Sequence, residues 1–422
     1  SGTINTIFVG QMMGVDAIAA VSVFFPILFF LLAFVIGISA GTTVLVGQAW
    51  GAQNLEKVRC VIGSTLFMTL IGGSVIAVLG VMMAEPMLKL LGTDAKVMHL
   101  SLPYVQWMLA GSPLLFFYII YTSILRGVGD SVTPLIALSL TSLIGLAVTP
   151  VLLKGYFGFP ALGIVAPAIA TILGYAAVLI FLGFYLNYKN HPLKIDARLL
   201  QSIRHDATLS KLILKLGIPT GIQMVTTSLA GLVIIGLVNH YGAHATAAYG
   251  AVNQVLNYIQ FPALSISIAA SIFAAQAIGA GKPDLLAKVT RTALGMNVIF
   301  TGSLITLAYL FSKYLMALFI TDHSVIELGQ QLLFIVLWAV LFFGASAIFA
   351  SIMRASGTVN VPMMINILTI ILIEVPCAYW FSSLWGLTGI WTAYALSFVC
   401  LCVLQASYYQ FVWKKTKIKV LI

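Results

Sequence analysis

Residues 60–84 read CVIGSTLFMTLIGGSVIAVLGVMMA without a single charge. A run of 18 or more apolar residues is long enough to cross a bilayer as a helix, and such runs recur along most of the 422 residues. Charged residues make up only 8% of the chain, against about 25% in a soluble domain. A soluble protein with a large core would show amphipathic stripes instead of these uniform runs. Spans are expected near 1–10, 19–48, 57–84, 98–124, 131–154, 159–188, 212–239, 245–278, 285–312, 325–352, 360–382 and 386–412.

The chain also repeats itself after 228 positions. Gly14 then meets Gly242, Gln48 and Gly51 meet Gln276 and Gly279, and Ser123, Arg126, Gly129 and Pro134 meet Ser351, Arg354, Gly357 and Pro362. Six spans fall in each half, an even number, so both halves enter the membrane from the same side. The expected fold is all-α integral membrane: twelve transmembrane helices in two six-helix bundles, related by a parallel pseudo-two-fold repeat. The bundles are expected at 1–188 and 212–413, with a linker at 189–211 and a tail at 414–422. The span at 1–10 is short, since ten helical residues rise only ~15 Å. The repeat places the rest of that helix before Ser1, so the first helix is expected to be truncated here.

Charge sets the orientation. Of the 21 Lys and Arg, 17 fall in the loops at 49–59, 125–130, 189–215, 279–291 and 353–359 and in the tail. Lys89, Lys96, Lys154 and Lys313 are the four on the other side. The positive-inside rule puts the linker and tail in the cytoplasm. A net charge of +10 therefore reads as orientation and points to no nucleic acid. The linker, NYKNHPLKIDARLLQSIRHD, is expected to tether the halves, with an amphipathic piece on the membrane surface.

Enzyme signatures are absent: there is no GxxxxGK[ST], no HExxH and no GxSxG. Cys60, Cys377, Cys400 and Cys402 sit in apolar runs without metal spacing. His240 and His244 lie four apart but lack a third ligand, so no metal and no cofactor is expected. Prolines inside spans, among them Pro150, Pro219, Pro262 and Pro376, permit bends. Gly37 and Gly41 form a small-xxx-small pair suited to close helix packing.

Glu374, in NILTIILIEVPCAYW, is the one acid deep in a span. A carboxylate near the bilayer centre costs about 3 kcal/mol, which protonation or a bound cation would relieve. It lies 13 residues from Val361, or ~20 Å along the helix, past the midplane. The uncharged Asn253, Asn257 and Gln260 follow i, i+4, i+7 on one face. With Gln48, Gln223, Thr227 and Gln276 they are the candidate cavity residues. A helix-to-helix hydrogen bond is the structural alternative for each.

Several stretches carry a resemblance. INTIFVG with AIAAVS, VLVGQAWGAQN, SILRGVGDSVTP, ATAAYGAVNQV and ASIMRASGTVNVP together resemble the multidrug and toxic compound extrusion (MATE) family over essentially the whole chain. The resemblance implies a monomeric multi-pass transporter of the bacterial inner membrane. It would export organic, cationic or neutral amphipathic compounds in exchange for protons or sodium ions. Its partners would be the small organic substrate, the coupling ion and the lipid bilayer. Three departures matter. Many relatives carry Asp where this chain has Asn5. The proton-coupled branch has Asn and Asp, four apart before a Pro in the fifth helix, where this chain has Gly145 and Thr149 before Pro150. The sodium-linked branch has Glu where Thr227 stands. Glu374 precedes Pro376 in the second-half counterpart of the fifth helix, so the coupling acid is expected there, with Asn5 and Thr149 as further candidates. A flippase for lipid or a lipid-linked precursor is the alternative, and it would prefer a basic central cavity.

Overall fold

The computed structural model describes residues 8–9, 11–194, 196–319 and 322–422, and among them there is no strand. Asn5 and most of the predicted span 1–10 lie outside the described residues. In chain order the helices are α1 (Val15–Ser22), α2 (Phe24–Gly51), α3 (Leu55–Leu90), α4 (Ala95–Ala110), α5 (Ser112–Gly127), α6 (Val132–Lys154), α7 (Ala166–Tyr188), α8 (Ala197–Ser202) and α9 (Ala207–Asn239). They continue with α10 (Ala243–Gly279), α11 (Leu285–Leu310), α12 (Ser312–Ala317), α13 (His323–Val336), α14 (Val340–Ala355), α15 (Asn360–Thr369), α16 (Val375–Trp385) and α17 (Leu387–Phe411).

Ten segments among the described residues are long and apolar enough to span a membrane. An eleventh, α4 with α5, is bent by 45° at Gly111. Pro113 sits at the start of α5, where a missing N–H costs nothing, so the predicted single span 98–124 is a broken one. The predicted 325–352 likewise contains a short 3-10 turn, Leu337–Ala339, between α13 and α14. The helix α3 outruns its predicted ends because it carries Glu56, Lys57, Glu85 and Lys89 in its terminal turns. Asn54 caps it by accepting from Lys57 N–H at 3.0 Å.

The repeat is written into the backbone. Positive φ recurs 228 residues apart at Gly14 and Gly242, Gln53 and Gly281, Gly129 and Gly357, and Gly158 and Gly386. After α5, Asp130 N–H reaches Leu125 O and Gly129 N–H reaches Arg126 O; after α14, Thr358 and Gly357 do the same to Met353 and Arg354. This is the same left-handed helix end twice, and it accounts for the matched glycines.

The chain divides into two units. Unit 1 holds the residues up to Val46 with 54–218; unit 2 holds 47–53 and 219–422. The division therefore falls inside α2 and, at Pro219, inside α9. In unit 1, α3 packs on α4 and α5, and α6 packs on α7. The predicted Gly37 and Gly41 pair lies against α9: a Cβ on Gly41 would come within 2.6 Å of Ile213 O, and one on Gly217 within 2.6 Å of Gly37 O. The linker folds back onto unit 1 through Tyr121 Oη, which donates to Leu193 O at 2.8 Å, and through the Arg59–Asp196 ion pair at 3.6 Å.

Unit 2 is centred on α10, which packs on α14 and α11, while α17 packs on α14 and α16. Val252, Val255, Leu333, Val336, Leu337, Ile390 and Trp391 are among its buried core. The end of α2 belongs here too, and its contact with α10 is reciprocal. A Cβ on Gly51 would overlap Gln276 O, and one on Gly279 would overlap Gln48 O. Repeat-related residues thus meet each other, so glycine is required on both sides of the crossing.

Candidate functional site

Glu374 is built into a local defect. Between α15 and α16 the chain makes a π turn, Ile370–Glu374, and Pro376 follows two residues later. Proline supplies no N–H to the carbonyl one turn earlier, and the wider π turn is the form a helix takes around an extra residue. The matching helix of the first half, α6, runs through Pro150 without such a turn. The acid therefore sits where the two halves differ in backbone as well as in sequence.

The neighbours of Glu374 come from α17, which α10 backs through Tyr249. Glu374 is 9% exposed. Its Oε2 accepts from Ser397 Oγ at 3.0 Å, the one hydrogen bond it makes among the described residues. No Lys, Arg or His lies within ion-pair distance of it there. Tyr394, one turn before Ser397, is within electrostatic reach of the carboxylate and shares a hydrogen bond of 3.2 Å with Tyr249 Oη. Trp391 stacks at a tilt between Tyr249 and Tyr394, and its buried Nε1–H finds no acceptor among the described residues. An ionised carboxylate can accept about four hydrogen bonds, so this one is under-satisfied. Ser397 and Tyr394, with Tyr249 and Trp391 packed behind Tyr394, had no signal in the sequence, because Ser, Tyr and Trp in apolar helices are ordinary and only tertiary packing assembles them beside the acid.

The other predicted residues fall elsewhere. On α10, Asn253 and Gln260 are half-buried and Asn257 is exposed, while Val252, Val255, Leu256 and Ile259 fill the core. The amide face thus points away from the interior of unit 2. Tyr258 and Phe261 extend it with an edge-on ring pair, and Gln254 Nε2 reaches Tyr258 Oη at 3.4 Å. On α9, Gln223 is half-buried and Thr227 is exposed, its Oγ1 donating to Gln223 O at 3.0 Å. Thr149 is fully buried in unit 1. Gln276 is half-buried at the Gly51 crossing.

Gln48 is a correction. It is fully buried, with Nε2 donating to Ala355 O at 2.8 Å and Oε1 accepting from Leu421 N–H at 2.8 Å. Both ends of its amide are spent on unit 2, so it faces no cavity. Asn297 is also used internally, bridging Leu341 O and Thr301 Oγ1 at 3.0 Å each. Among the described residues no three His, Cys, Asp or Glu side chains gather as a metal site.

A family model described as MatE matches residues 1–151 and 219–380. The chain belongs to the MatE family. This MatE-family chain is 44% identical to the "Probable multidrug resistance protein YoeA" of Bacillus subtilis, over 98% of this chain and 90% of the relative. It is 28% identical to the "FAD transporter" of Shewanella oneidensis, over 92% and 84%. Its fold matches the "Crystal structure of MATE in the bent conformation" with a TM-score of 0.88 at 20% identity, over 100% of this chain and 91% of that one. An "Outward-facing conformation of a multidrug resistance MATE family transporter" matches at a TM-score of 0.89 and 20% identity, over 98% and 92%. The MatE-family chain is accordingly a multi-pass transporter of the cell membrane, not an enzyme.

Proposed function

We propose that the chain is a secondary antiporter that exports organic compounds, cationic or neutral and amphipathic, in exchange for protons or sodium ions. The observation that carries this reading is a buried carboxylate held by one serine hydroxyl, with no cation beside it among the described residues. Such a group is stable in a membrane when it holds a proton or a bound cation, and an exchange of one for the other is antiport. A metal cation at Glu374 would want several oxygen ligands. A proton wants one, so the coupling ion we favour is the proton. Protonated Glu374 no longer favours a cationic substrate; deprotonated, it does.

The exposed face of α10 is the proposed substrate face. Amides on a membrane-spanning helix are costly against acyl chains and suited to water or a ligand, and aromatic rings beside them suit an amphipathic compound. No Lys or Arg lies on α10, which weighs against an anionic lipid-linked cargo. The multidrug resistance named for the Bacillus relative supports the same choice. Two bundles, 1–188 and 212–413, would expose this face to one side at a time.

The test is transport of a fluorescent organic cation by proteoliposomes under an imposed pH or sodium gradient. Wild type should follow the pH gradient. Glu374→Gln should insert and fold, yet fall to the rate of protein-free vesicles. If that variant transports at the wild-type rate under a pH gradient, Glu374 is structural, and the coupling site must be sought near Asn5 or Thr149. Transport driven by sodium alone would replace the proton with sodium.

A further inference from the structure

The linker that joins the halves does more than span a distance. Beneath α3, α5 and α7 of unit 1 it closes a cavity of about 530 Å³. Leu66, Phe117, Leu179 and Phe184 line its walls, and Leu199 and Ile203 of the linker form its floor. The two polar residues in the lining are already engaged: Tyr121 Oη donates to Leu193 O, and Asn187 Nδ2 donates to Gly183 O at 2.8 Å. Nothing in the walls asks for a polar ligand. Phe184 is 75% exposed and Ile180 61%, so the cavity opens along α7 where that helix meets lipid.

The floor is basic. Lys189, Lys194 and Arg204 stand close in sequence to the lining residues Asn187, Leu199 and Ile203; Lys189 Nζ lies 4.8 Å over the Tyr185 ring and Lys194 Nζ donates to Asn190 Oδ1 at 3.4 Å, but none of the three makes an ion pair among the described residues. The two acids of the linker are occupied otherwise. Asp196 pairs with Arg59, and Asp206 accepts from Leu209 N–H at 3.0 Å at the start of α9. The Lys and Arg asymmetry places this end of unit 1 at the cytoplasmic leaflet, whose anionic headgroups attract such clusters. An apolar slot open to lipid, flanked along the chain by cations that make no ion pair among the described residues, has the two halves of one ligand's chemistry.

We propose that this cavity is a specific site for an anionic phospholipid, with one acyl chain in the slot under α7 and the headgroup held by Lys189, Lys194 and Arg204. The lipid fastens the linker to unit 1. It is a resident of the fold, separate from the transported compound.

The experiment is native mass spectrometry of the purified full chain after delipidation in detergent. The probes are phosphatidylglycerol, phosphatidylcholine with the same acyl chains, and glycerol phosphate, which lacks chains. Phosphatidylglycerol should be retained at least about tenfold better than phosphatidylcholine, and glycerol phosphate should not be retained. Combined Lys189→Gln, Lys194→Gln and Arg204→Gln should erase the preference. Leu179→Trp, which fills the slot and leaves every charge in place, should lower retention of both lipids. Equal retention of the two lipids overturns the proposal. So does an undiminished preference in the charge variant, undiminished retention in Leu179→Trp, or retention of glycerol phosphate on a par with the lipid, which would mean a free-phosphate site.

Discussion

Replacing Gln48 with alanine should release the C-terminal segment of the chain. The tail is held at three points in unit 2. Leu421 N–H bonds to Gln48 Oε1, the Leu421 side chain packs on Gly357, and Trp413 Nε1 donates to Ser356 Oγ at 2.9 Å. Gln48→Ala removes the first directly and strips Ala355 O of its partner. A hydrogen bond is worth about 0.5–1.5 kcal/mol net, and a buried group left without its partner costs about 1–3 kcal/mol. Leu421 N–H can recover water by fraying, so the docked tail should lose about 1.5 kcal/mol, or roughly tenfold in its docking equilibrium. Trypsin is the reporter, because Lys417 and Lys419 lie between the anchors Trp413 and Leu421 and cleavage requires the segment to leave its seat. When opening is fast relative to cleavage, the rate follows the open population, so cleavage should rise about tenfold. Gln48→Glu, which keeps the acceptor for Leu421 and loses the donor to Ala355, should fall between. Equal cleavage rates in wild type and Gln48→Ala would refute the argument that this amide holds the tail.

Three further outcomes are expected. Gly279→Val should lower thermal stability in detergent by about 1–3 kcal/mol, since its side chain must displace the Gln48 carbonyl at the reciprocal crossing; an unchanged melting profile would mean the helices separate freely there. Ser397→Ala should shift the proton concentration for half-maximal transport by about tenfold or more, because it removes the one donor to Glu374 among the described residues and a bond to a charged group is worth about 1.5–3 kcal/mol; an unmoved pH profile would show that Glu374 does not couple. In the linker, burial pushes His191 below its ordinary value of 6.5, against the pull of Asp130. Its Nδ1 accepts from Leu193 N–H at 3.1 Å, which a proton on that nitrogen would break. With the folded value depressed, its contribution is fully present above about pH 6.5 and is lost as pH falls below it. Linker protection factors, taken relative to intrinsic exchange at each pH, should therefore fall between pH 7 and pH 5.5, and His191→Asn should flatten that dependence.

The sequence carried membrane residence, the helical class and the 228-residue repeat, because each depends on local chemistry. Uncharged runs must span, and matched glycines must adopt matched positive φ. Glu374 stood out for the same reason, as its cost is set by composition along one helix. The structure alone decided what surrounds it. Ser397, Tyr394, Tyr249 and Trp391 lie on two other helices and look like ordinary apolar-helix residues until α10 and α17 pack. The same limit misplaced Gln48: a polar residue in a span reads as cavity wall or as glue, and only its partners, 307 and 373 positions away, make it glue. The amides of α10 show the converse. Their helical spacing put them on one face, but whether that face turned inward depended on which side of α10 was covered by Val252, Leu256 and Ile259 packing into unit 2. Spacing along a helix is local, while the choice of buried face is settled only when the other helices arrive.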